Sequence, residues 1–139
     1  MGTTIRPELS AKNKYWLDKH RHYELKHFCL QYPLWKKAYS ELDGYSKRPT
    51  ELAALYPSTT VSDPTAICVE KQIFYADRMA MLTQTAKETD LGLWDYIFAA
   101  VTEGLSYDAL KARLEIPCCR DVYFRLYRRF FWLLSQARQ

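Results

Sequence analysis

The order of apolar runs and stop signals after Leu93 leaves this chain few folds to choose from. Residues 93–101 are apolar almost all round apart from Asp95, the pattern of a deeply buried helix. Thr102-Glu103-Gly104 closes it, with Gly104 expected in the left-handed conformation that ends helices. Ser106 then caps a short helix over residues 107–114, Glu115-Ile116-Pro117 makes a turn, and a last helix runs from Cys118 to about Gln136. A short helix, a tight turn and a long amphipathic helix make a helix-turn-helix.

Upstream, the signals are also helical. A helix is expected from Ala11 to about Gln31, with Ser10 as its cap and Tyr15, Trp16, Lys19, Tyr23 and Lys26 along one side. Tyr32-Pro33 ends it, because the residue before proline is pushed out of the α region. A second helix follows over residues 34–42, stopped by Asp43-Gly44. Prolines 49 and 57 interrupt the next stretch. Asp63-Pro64 then starts a long helix to about Glu88, with Asp63 as cap and Pro64 at the first position. Along it Ala66, Val69, Ile73, Ala76, Ala80 and Thr83 follow 3-4-3-4-3 spacing, a heptad seam, and Ile67, Phe74 and Met81 form a second row. That seam suits either a neighbour in the same chain or a homodimer. The expected fold is all-α: an N-terminal helical hairpin over residues 1–48, a linker over 49–62, and a bundle over 63–139 made of a long central helix and the C-terminal helix-turn-helix.

The 139 residues include only four glycines and six prolines, which argues against a loop-rich or all-β chain. No apolar run reaches the length of a membrane span, and the first residues lack an apolar signal region, so the expectation is the cytoplasm with no membrane contact. Cys29, Cys68, Cys118 and Cys119 contain no CxxC pair and read as reduced thiols rather than a metal framework. The net charge of +4 hides a division. Residues 1–48 carry ten Lys or Arg against five Asp or Glu, residues 49–105 three against eight, and residues 106–139 seven against three. Basic ends around an acidic middle suit a polyanionic partner or head-to-tail self-association.

The last helix sorts its residues by side. Val122, Leu133, Leu126, Phe130, Tyr123, Leu134 and Tyr127 share one arc, expected to be buried. The other carries Arg120, Phe124, Arg128, Asp121, Trp132, Arg125 and Arg129, with Phe131 at its edge. In a helix-turn-helix the first turns of the second helix face base edges, here Arg120, Asp121, Phe124 and Arg125, while Arg128 and Arg129 sit nearer the phosphates. Lys111 and Arg113 on the preceding helix add to the basic surface. Arginine rather than lysine dominates it, which suits bidentate contacts. Phe124, Phe131 and Trp132 are many aromatics for a phosphate-facing surface, and are candidate anchors for a protein partner.

In its order of motifs the chain resembles the small phage-encoded transcription regulators of the RinA/ArpU type from Gram-positive phages and prophages. The features that carry the likeness are Tyr32-Pro33-x-Trp35, the Ser62-Asp63-Pro64-Thr65 helix start, Val101-Thr102-Glu103-Gly104-x-Ser106-Tyr107, the Ile116-Pro117-Cys118 turn and the ending Tyr127-Arg128-Arg129-Phe130-Phe131. The resemblance implies a sigma-factor-like helix-turn-helix. Residues 106–114 would be its support helix and residues 118–134 its recognition helix, with double-stranded DNA as partner. Pro117 in the turn and the aromatic content of the last helix depart from that pattern.

An enzyme is not expected. His20, Glu24 and His27 share a face of the first helix, but Lys19, Arg21 and Lys26 crowd it with positive charge that opposes a cation. There is no phosphate-cradling glycine loop, nucleophile elbow or paired-carboxylate motif, and no cofactor is implied. The first expectation is a DNA-binding transcriptional regulator using Lys111, Arg113, Arg120, Arg125, Arg128 and Arg129. The alternatives are a phage-encoded protein-interaction module that inhibits a host nucleoprotein or polymerase, or a ring-forming, small-terminase-like packaging protein.

Overall fold

The structure, a computed structural model, describes residues 13–46 and 64–139, and every regular element among them is an α-helix. In chain order these are α1 (Lys19–Leu30), α2 (Tyr32–Ser46), α3 (Pro64–Thr89), α4 (Trp94–Glu103), α5 (Tyr107–Leu114) and α6 (Arg120–Ala137). The all-α expectation holds. The expected caps at Ser10 and Asp63, and the linker, lie outside the described residues. No helix among the described residues is long and apolar enough to cross a membrane.

Local signals set most helix ends. Asp18 caps α1 by accepting a hydrogen bond from the His20 amide at 3.0 Å, so the helix starts at Lys19 rather than at Ala11. Asn13 organises a turn ahead of it, accepting from the Tyr15 amide through its side chain and from the Trp16 amide through its carbonyl. α2 runs on past the expected stop at Asp43-Gly44 to Ser46. Asp90 takes the Leu93 amide at 2.8 Å and turns the chain from α3 into α4. Gly104 ends α4 with φ +70°, in the left-handed conformation, its amide bonded to the Ala100 carbonyl. Ser106 caps α5 through its side chain, at 3.1 Å from the Ala109 amide.

Two compact units emerge. Among the described residues, one joins residues 13–31 to residues 81–139; the other comprises residues 32–46 and 64–80. The division falls between α1 and α2. In the first unit α1 packs against α4 and α6, and α4 also packs against α5. Its core is made of Leu25 and Phe28 from α1, Ile97 and Val101 from α4, Leu110 from α5, Ile116 from the turn, and Tyr123, Phe130, Phe131 and Leu134 from α6. Leu82 and Ala86 at the end of α3 are also fully buried. Burial of large aliphatic and aromatic side chains on this scale supplies the main drive to fold, at about 1.5–3 kcal/mol for each.

In the second unit Trp35 and Cys68 are buried, and the Cys68 thiol donates to the Leu42 carbonyl at 3.3 Å. The expected heptad seam of α3 turns outward here: Val69 and Ile73 are exposed, as are Ile67 and Phe74 of the second row. Phe74 is shielded in part by Arg78, whose guanidinium lies 3.4 Å from the ring centre.

Candidate nucleic-acid interface

α5, the residues 115–119 that follow it, and α6 stand in the order short helix, connection, long helix. Glu115 ends α5 with φ +53°, the one non-glycine residue with positive φ among those described. Ile116 then plugs the core, and Cys119 in extended conformation begins α6. Lys111 braces this turn: its ammonium donates to the Ile116 carbonyl at 3.2 Å. The Tyr107 hydroxyl braces it a second time, donating to the Cys118 carbonyl at 2.6 Å.

α6 presents two unlike sides. Tyr123, Leu126, Tyr127, Phe130, Phe131 and Leu134 are buried, while Asp121, Arg125 and Gln136 are exposed. The buried arc is thus rotated from the expected one: Phe131 enters the core, and Val122 and Leu133 are only half-buried. The cause is α1. Its His22 packs against α6, with ring centres 4.8 Å from Phe131 and 6.1 Å from Tyr127. Burial, and then the charge of Lys26, hold the His22 imidazole down at a pKa of about 4, so it packs as a neutral ring. The same burial pushes the Tyr123 and Tyr127 hydroxyls well above their ordinary range.

The expected site residues separate into groups. Arg113 and Arg125 are exposed. Arg120 is half-buried and engaged, with its Nη2 donating to Asp108 Oδ1 at 2.7 Å. Arg128 and Arg129 are half-buried, and the Nε of each is buried with no hydrogen-bond partner. Lys111 is exposed, but its ammonium closes the turn. Of the three expected partner-binding aromatics, Phe131 is 1% exposed and belongs to the core, which corrects its placement on the open side. Trp132 is half-buried with its ring 5.6 Å from that of Tyr15, and Phe124 lies 6.5 Å from Tyr107 and 5.4 Å from Tyr123. Two residues that helical periodicity missed shape this surface. Asp108 holds Arg120 from another helix, and Tyr15 lies against Trp132 from ahead of α1; neither relation has a periodic trace.

His20, Glu24 and His27 do not converge on a cation. Glu24 Oε1 instead takes Arg21 and Arg138, each at 2.7 Å. Among the described residues no three His, Cys, Asp or Glu side chains come together as a metal site would need. No family model, curated protein or solved structure matches the chain.

Proposed function

We propose that this chain is a duplex-DNA-binding regulator, of the kind of the small phage regulators it resembles, that seats α6 in the major groove within a bacterial cell. The observation that carries this reading is the outward arc of α6. Arg125 is exposed on it, with Arg128 and Arg129 half-buried beside it, on a helix that follows a capped short helix and a braced turn. A role for the aromatics as protein-binding anchors has less support, because Phe124, Phe131 and Trp132 each already pack against a ring of the same chain.

The test is a gel shift with the DNA upstream of the chain's own gene. With about six phosphate contacts the affinity should fall roughly 10³-fold between 50 and 200 mM salt. Arg125→Ala combined with Arg128→Ala should abolish the shift with helicity retained. Binding that ignores salt, or a double variant that binds like the parent, overturns the reading.

A further inference from the structure

Arg120 opens α6, and the Asp108 carboxylate and the Tyr107 and Phe124 rings lie against its guanidinium. Nη2 donates to Asp108 Oδ1 at 2.7 Å, and the guanidinium carbon lies 5.1 Å from the centre of the Tyr107 ring and 5.9 Å from that of Phe124. Tyr107 is itself fixed, by its hydroxyl on the Cys118 carbonyl and by the buried Tyr123 ring 5.5 Å away. The ion pair is poorly placed to stabilise the fold. Its side chains are 40% and 57% exposed, where solvent screens most of the attraction. Together with the two rings its effect is on conformation: it narrows the rotamers of a long side chain at the end of the helix that a helix-turn-helix points at base edges.

Resting on the DNA-binding reading, we propose that Asp108 is a positioning residue for Arg120, and that the pair reads a guanine in the major groove. The planar fork of an arginine matches the O6 and N7 acceptors of guanine. An untethered arginine at that place swings instead to a phosphate, which carries no sequence information. Asp108 prevents that swing, and its own charge, in the first turn of α5, repels phosphates that approach out of register.

Preferred duplexes are to be selected from a random-sequence pool by the full chain. Binding of the parent, Asp108→Asn and Arg120→Lys is then compared on the preferred duplex and on duplexes with each guanine replaced. The parent should favour guanine at one position by about tenfold or more. Asp108→Asn should lose most of that preference while binding the replaced duplex as tightly as the parent or more tightly. Arg120→Lys keeps the charge and should lose the preference too; if Asp108→Asn fails to fold, this variant decides. Full preference retained by either variant, or affinity lowered by one factor on every duplex, overturns the proposal. Duplex binding by the parent without any guanine preference sinks this inference alone. No duplex binding at all sinks the DNA-binding reading with it.

Discussion

The imidazole of His22 lies 4.8 Å from the ring of Phe131, centre to centre, and binds the first described helix of the chain to the last. Because burial lowers the His22 pKa from 6.5 to about 4, the folded chain takes up fewer protons than the unfolded one between those values. This contribution to stability is therefore present above pH 6.5 and is lost as the pH falls towards 4. Urea midpoints measured from pH 7.5 to 4.5 should drop, and His22→Phe should flatten the part of the drop between pH 6.5 and 5. An unchanged slope in that variant would assign the loss to other groups.

Phe131 and Trp132 are neighbours in sequence with opposite fates. Phe131→Ala should cost about 3–5 kcal/mol of unfolding free energy, since it empties part of a closed core. Trp132→Ala should cost only about 1–2 kcal/mol, most of it from the lost Tyr15 contact. Equal costs in chemical denaturation would place the two on the same side of α6.

Arg21 finishes α6 from outside. Its guanidinium donates to the Ser135 hydroxyl at 3.2 Å, the Ser135 carbonyl at 3.1 Å and the Arg138 carbonyl at 2.5 Å. The Ser135 carbonyl is among the last of the helix, which have no intrahelical donor, and the Arg138 carbonyl lies just past its end. Arg21→Ala should destabilise by about 1–2 kcal/mol and speed amide exchange in the last turn of α6. Arg21→Lys should recover little, because one ammonium cannot span the same acceptors.

Two left-handed residues make opposite predictions. Glu115 has φ +53° in an exposed position, so Glu115→Gly should stabilise by about 0.5–1 kcal/mol, read as a higher thermal midpoint. Gly104 already has φ +70°, and a Cβ there would lie 3.3 Å from Leu30 Cδ2, so Gly104→Ala should destabilise by about 1–2 kcal/mol.

The parts that were legible in the sequence are those decided within one turn of chain. Ser106 and Gly104 announce their caps because a side-chain oxygen or a missing Cβ acts on backbone a few residues away. For the same reason α5 falls on the expected residues. What periodicity could not supply is the neighbour of each face. The α6 pattern gave an apolar arc, but α1 decides which edge is sealed, and so Phe131 was misplaced. On α3 two apolar rows compete, and tertiary packing turned Val69 and Ile73 outward while burying Cys68 in one unit and Leu82 in the other. On the candidate surface, the arginines stand out in the sequence as a basic arc. The tether from Asp108 to Arg120 does not, because it joins two helices through a turn whose geometry depends on Glu115 and Tyr107.

The shared core of α1, α4 and α6 has a consequence for synthesis. α1 leaves the ribosome several seconds before α6 has been translated, at ordinary elongation rates. Throughout that interval Leu25 and Phe28, buried in the finished fold, have nothing of α6 to rest on. Folding of this unit is bound to be late, and its slowest contacts are those that join the two ends.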